Sequence, residues 1–208
     1  DVDDLFVWSE QVSDRGRIPE VLVVDDEHAV VTYRVARAEP EGNMGGLLEA
    51  DLEHIGALNS LFLDNGGRFI MDSDEWPDER IGVPHPEGRV LNVSENRMID
   101  SLSDAEQNTV GADILRDLLS RGLHPRPGFK YGTRWRCYDR TLGESHAPWL
   151  VVHPSEAPGD WGGACLASRL ASGVGKIWLH PVQDGGVWSY LSITRPPADS
   201  RWNNPNRR

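Results

Sequence analysis

Two widely separated stretches of the chain share one arrangement of apolar and polar residues. In 19–40, PEVLVVDDEHAVVTYRVARAEP, an apolar run from Val21 to Val24 leads into an acidic turn, Asp25-Asp26-Glu27, and then a second run from Val30 to Val35. Strand, polar turn and strand predict a β-hairpin. The segment 176–196, KIWLHPVQDGGVWSYLSITRP, has the same layout. Placed without gaps so that Tyr33 lies under Tyr190, Leu22 meets Leu179, Glu27 meets Asp184, Val31 meets Trp188 and Thr32 meets Ser189. Unrelated hairpins also look alike, so duplication is one reading of the match. On that reading the chain starts inside one repeat, finishes it near Pro40 and then carries a complete second repeat, as a piece of a longer parent would.

Between the hairpins, residues 39–46 are rich in Gly, Glu and Pro and read as a linker. Leu48, Leu52, Ile55, Leu58, Leu61 and Phe62 then follow helical spacing, with Gly66-Gly67 as the stop. A strand at RFIM (68–71), a loop through Pro77, Pro84 and Pro86, and a strand at GRVLNV (88–93) come next. Two helices are predicted after them, one from Ser94 through Ile99 and one over 111–120 with Ile114, Leu115, Leu118 and Leu119 on one face. From Gly128 the pattern turns to strands, KYGTRWRCYDR and HAPWLVVHP, followed by a helix through Ala164, Leu166, Ala167, Leu170 and Val174 that closes at Gly173 to Gly175. The fold class expected is α+β, or mixed α/β. It comprises the end of a degenerate structural repeat (1–40), a linker and helix (41–66), a small α/β domain (67–125), a nuclease-like α/β domain (126–197) and a flexible tail (198–208).

Composition narrows the classes. With 208 residues, 38% of them apolar, and 8 Trp, the chain is expected to fold, in one or two domains. No run approaches the length of a membrane span and the acidic start lacks the basic region of a signal peptide, so a cytoplasmic protein is expected. Cys137 and Cys165 lie far apart in apolar surroundings and read as two buried thiols rather than a disulfide or a zinc site. Acidic side chains outnumber basic ones 33 to 21, and Lys130 and Lys176 are the lysines. A formal charge of -12 suits a protein working in concentrated salt, hence a halophilic source. It argues against general nucleic-acid binding, which phosphate neutralisation drives, so any RNA site has to be local. One basic island exists, RPGFKYGTRWRCYDR, where Arg126, Lys130, Arg134, Arg136 and Arg140 face only Asp139; a solvated surface is the plain alternative.

Three groups with complementary acid-base roles occur in the last third of the chain: Tyr138 ending a strand, His146 opening the next and Lys176 after a helix. A ribose 2′-OH can cut the adjacent phosphodiester if one group takes its proton, another protonates the departing 5′-oxygen and a cation stabilises the added negative charge. Histidine titrates near neutrality and an ammonium suits the anionic transition state. The scheme needs no divalent ion and no cofactor, and no Asp/Glu/His cluster has metal-ligand spacing. Singly, each of the three residues is as well explained as core, surface or a helix-end charge.

Their surroundings carry a resemblance. GFKYGTRWRCY, then SHAPWLVV with its His eight residues after the Tyr, then SRLASGVGKIWL resemble, in order and spacing, the three active-site motifs of archaeal tRNA-splicing endonucleases. The likeness is specific over 128–196 and weaker over 68–126. It implies a metal-independent endonuclease that excises introns from precursor tRNA at bulge-helix-bulge structures, leaving a 2′,3′-cyclic phosphate and a 5′-OH. Tyr138 would be the general base, His146 the general acid and Lys176 the transition-state stabiliser. It implies RNA contacts through Arg169, the cationic member of a base clamp, and through Lys130, Arg134, Arg136 and Trp188. The family's clamp places a Trp near the end of the last strand, where this chain has Thr194 and Arg195. The resemblance also implies self-association, as a homodimer of two-repeat chains. There an acidic loop, here Asp25, Asp26 and Glu27 with Asp184 as its remnant in the second repeat, docks on a partner; a surface turn is the plain alternative. Pro19 falls where Lys176 stands in the second repeat, which fits a structural first repeat. A non-catalytic structural or RNA-binding subunit of the same fold is the alternative function, and it would lack at least one of the three residues.

Overall fold

The computed structural model describes residues 1–24, 26–71 and 75–195. Asp25 of the acidic turn and the expected tail, 198–208, lie outside the described residues. In chain order the elements are α1 (Val2–Asp14), β1 (Glu20–Val24), β2 (Val30–Ala38), α2 (Glu49–Ala57), β3 (Ser60–Phe62), β4 (Arg68–Met71), β5 (Val83–His85), β6 (Gly88–Leu91), α3 (Val93–Asp100), α4 (Val110–Ser120), β7 (His124–Pro127), β8 (Trp135–Tyr138), β9 (Trp149–Val151), α5 (Trp161–Gly173), β10 (Ile177–Asp184) and β11 (Val187–Thr194). The architecture is mixed α+β. Two compact units result, one of residues 1–40, 126–138 and 146–208, the other of 41–125 and 139–145.

The first unit is built on a sheet ordered β1-β2-β11-β10-β9-β8-β7. The two sequence hairpins are its first four strands. They join through their second strands, antiparallel, with Ile193 opposite Val35. Each hairpin is preceded by a helix, α1 or α5. The core between sheet and helices holds Val2, Leu5 and Phe6 of α1, Tyr33 and Val35 of β2, Leu150 and Val152, Ala164, Cys165 and Ala171 of α5, Trp178, Val182, Leu191 and Ile193. Helix α1 was not expected from the sequence. Its buried side is the Val2, Leu5, Phe6, Ser9 face, and Asp1 caps it by accepting from the Asp4 backbone N–H.

The ladder corrects the gapless alignment of the hairpins. Leu22 pairs with Thr32, but Leu179 pairs with Ser192, three residues beyond the aligned Ser189. The second hairpin closes in two residues, Gly185 and Gly186, both at positive φ (58° and 89°), where glycine is needed for a tight turn. The first uses residues 25–29 and therefore sits three residues out of step.

The second unit carries a four-stranded sheet, β3-β4-β6-β5, with α2, α3 and α4. Leu52, Ile55, Ile70, Leu91, Met98, Ile114, Leu118 and Leu119 are its fully buried side chains among others. Here the expected helix through Phe62 is corrected: α2 stops at Ala57, Leu58 is extended, and Leu61 and Phe62 lie on β3 paired with β4. The capping box on α3 uses Asn92 and Glu95, and the α4 cap is Thr109. The two cysteines are buried free thiols, and burial pushes the Cys165 thiol up to about 11. No helix among the described residues is long and apolar enough to cross a membrane.

Candidate active site

The three candidate residues are delivered by adjacent elements of the first unit's sheet. Trp149, the first residue of β9, is flanked on one side by Cys137 of antiparallel β8 and on the other by Ile177 of parallel β10. One step outward along the same register, Pro148 stands between Tyr138 and Lys176, and the Ile177 N–H donates to the Pro148 carbonyl at 2.9 Å. With neighbouring strands about 4.8 Å apart, the Tyr138 and Lys176 backbones are separated by roughly 10 Å across a single strand. His146 lies two residues before Pro148, exposed and outside regular secondary structure.

Lys176 is held in place rather than free. Helix α5 ends at Gly173, and the Val174, Gly175 and Lys176 N–H groups return to the carbonyls of Ala171 and Ser172, with Gly175 at φ 69° turning the chain into β10. The residue is 8% exposed, and its Nζ donates to the Ala147 carbonyl at 2.5 Å, next to His146. The same ammonium lies 5.2 Å from the centroid of the Tyr131 ring. Tyr131 was not singled out from the sequence, because GFKYG read as strand. The stretch Phe129–Tyr131 is instead a 3-10 turn. Tyr138 is half-buried at the end of β8, with the Arg136 guanidinium 5.7 Å from its ring centroid. Between Tyr138 and His146 runs the 139–145 loop, where Ser145 donates to Asp139.

The other candidates divide by position. Lys130 is exposed on the 3-10 turn; Arg134, also exposed, is ion-paired with Glu156. That pair flanks His153, whose pKa is lowered first by burial and then by Arg134, with Glu156 opposing. Arg169 is exposed on α5 and lines a recess with Val23, Val31, Tyr33, Cys165 and Leu166. Burial raises the pKa of Tyr33, while Arg169 and Arg195 act on it in the opposite sense. The β10–β11 register puts Thr194 opposite Ile177, at the Lys176 end of the ladder. Trp188 does not join them. It pairs with Gln183 near the turn, seven residues from Lys176 along the strand, or about 20 Å. Asp26 and Glu27 are exposed in the first hairpin's turn. Asp184 is engaged within the chain: Arg37 donates to it at 2.8 Å, to Glu10 at 2.8 Å and to Ser189 at 2.6 Å. Among the described residues, no three His, Cys, Asp or Glu side chains are grouped to hold a metal ion.

Residues 112–190 match the family model for the tRNA intron endonuclease, catalytic C-terminal domain. That segment of the chain belongs to the tRNA intron endonuclease family. It runs from α4 into β11 and includes Tyr138, His146 and Lys176. A tRNA-splicing endonuclease of Picrophilus torridus is 29% identical over 175 residues, which cover 84% of this chain and 54% of that protein. One of Thermoplasma volcanium is 30% identical over 174 residues, covering 83% and 53%. The chain thus spans about half the length of the curated relatives it matches.

Proposed function

We propose that this chain is the catalytic part of an RNA endonuclease that excises introns from precursor tRNA at bulge-helix-bulge structures without a metal ion. The observation that carries the reading is the meeting of three elements at one end of the sheet. Tyr138 and Lys176 flank Pro148, and the lysine ammonium is bonded to the carbonyl beside His146. In the reaction, Tyr138 takes the proton of the 2′-OH and O2′ attacks the adjacent phosphorus. The bond to the 5′-oxygen breaks as His146 donates a proton to it, while Lys176 faces the negative charge that builds on the phosphoryl oxygens. The products are a 2′,3′-cyclic phosphate and a 5′-OH.

Charge distribution supports an RNA face on the first unit. That unit has 14 acidic and 14 basic side chains, whereas the second has 19 acidic and 7 basic, so the net charge of -12 resides in the second. Phosphate would be repelled there and tolerated on the first. Self-association is proposed through the first hairpin's acidic turn, since Asp26 and Glu27 are exposed whereas Asp184 is tied to Arg37. Incubation with precursor tRNA in excess EDTA tests the reading: cleavage leaving cyclic phosphate ends is expected, and loss of cleavage under chelation, restored by a divalent ion, would refute the metal-free route.

A further inference from the structure

Within the basic island, Phe129 is 77% exposed. Isolated apolar residues on a surface are ordinary, so exposure alone carries little. Its setting carries more. The turn that bears Phe129 is tied down: the Tyr131 N–H donates to the Gly128 carbonyl at 2.8 Å and the Gly128 N–H to the Arg134 carbonyl at 3.0 Å. A side chain on Gly128 would strike Thr133 Oγ1 at 2.5 Å, so the chain packs closely there. Gly132, at φ 68°, ends the turn. The ring of Phe129 is thus displayed on a fixed support, which lowers the ordering cost of binding.

The turn also has two sides. Tyr131 faces Lys176, while Phe129, two residues earlier, faces solvent beside exposed Lys130. Residues 126–136 contain Arg126, Lys130, Arg134 and Arg136 and no acid, in a unit that is otherwise acidic on balance; Lys130 and Arg134 are the exposed pair, Arg134 in an ion pair with Glu156 at the surface. Single-stranded nucleic acid is held by this combination of cations for the backbone and an aromatic face for a base. Trp188, the aromatic expected to contact RNA, is at the far end of the β10–β11 ladder.

We infer that Phe129 is a stacking platform for an unpaired nucleobase next to the scissile phosphate, presented by the same turn whose Tyr131 braces Lys176. The inference rests on the reading of the chain as an RNA endonuclease. It names which RNA feature is recognised: an unpaired base rather than a base-pair edge, since a phenyl ring has no hydrogen-bonding group and every base offers a π-face.

The test compares the protein with its Phe129→Ala and Phe129→Trp variants. Each is titrated in EDTA against a labelled RNA hairpin carrying a three-nucleotide bulge and against the same hairpin fully paired, with thermal unfolding run alongside. Phe129→Ala is expected to weaken binding of the bulged RNA by about tenfold, leave the paired RNA within twofold and keep the melting profile, while Phe129→Trp restores affinity. An abasic bulge nucleotide at the stacked position should erase the difference between the protein and Phe129→Ala. Equal losses on both RNAs, no loss on the bulged RNA, or no RNA binding by the unsubstituted protein would each overturn the inference. Cleavage of a bulge-helix-bulge precursor tRNA by the unsubstituted protein is scored separately. Cleavage with an unchanged Phe129→Ala affinity removes the platform and spares the endonuclease reading; a selective affinity loss without cleavage does the reverse.

Discussion

Lys176 illustrates how little of a functional group's setting is visible in its own neighbourhood of sequence. The residue follows a helix end, where a lysine is commonly a dipole partner. Its position is fixed instead by Ala147 and by Tyr131, 29 and 45 residues earlier. Tyr131→Leu is therefore expected to lower the cleavage rate about tenfold with little change in KM, and Tyr131→Phe to preserve it, because a phenyl ring retains the attractive face for an ammonium. Single-turnover and steady-state rates check this; a loss that Phe does not rescue would leave Tyr131 without the bracing role. His180 is a second buried group whose partner lies far away, Asp3 at 3.2 Å. Burial lowers its pKa below 6.5 and Asp3 opposes that shift. The folded state thus takes up the proton less readily than the unfolded one, so this contribution to stability is full above about pH 6.5 and is lost as pH falls below it. Urea midpoints should drop between pH 7.5 and 5.5, and less so in His180→Leu.

The elements show which rules of sequence reading succeed. Both hairpins, α4 and α5 were legible because alternation or helical spacing was uninterrupted and turn glycines or acids marked the ends. The helix expected through Phe62 failed because Leu61 and Phe62 continue the apolar period of α2, while their strand is fixed by pairing with β4. Strand β5 contains Pro84 and so reads as loop, and β7, with Pro125 and Pro127, offers no strand pattern in the sequence; proline is accepted at sheet edges, and both strands are edges. The three-residue slip between hairpins was hidden because a gapless alignment counts residues, not ladder pairs. Arg37 joins α1, β2, β10 and β11 through Glu10, Asp184 and Ser189 and lies 5.1 Å from the Phe6 ring centroid. Arg37→Ala should destabilise the first unit by about 1–2 kcal/mol, since charged hydrogen bonds are lost at a partly exposed site. Urea unfolding with an unchanged midpoint would count against it.

Across the two units the charge is divided, one balanced and the other carrying the whole excess of acid. Composition alone reveals the total but not this partition, which lies almost wholly in 41–125, with 17 acidic and 6 basic side chains. Self-repulsion among 19 acids is screened as the Debye length falls from about 10 Å at 0.1 M salt to about 3 Å at 1 M. Melting temperature should rise over that range, as calorimetry would show, and the rise should belong to the acidic unit. The segment that matches the family model, 112–190, by contrast, has β8, β9 and β10 side by side around Pro148. Single-turnover cleavage of a bulge-helix-bulge precursor tRNA by Tyr138→Phe, His146→Ala, Lys176→Ala and the triple variant probes that arrangement most directly. Groups serving one transition state are not additive. His146→Ala should be slower by about 10²- to 10⁴-fold, with the triple variant little slower than the worst single one. A single variant at full rate, or losses that multiply in the triple variant, would contradict a shared site.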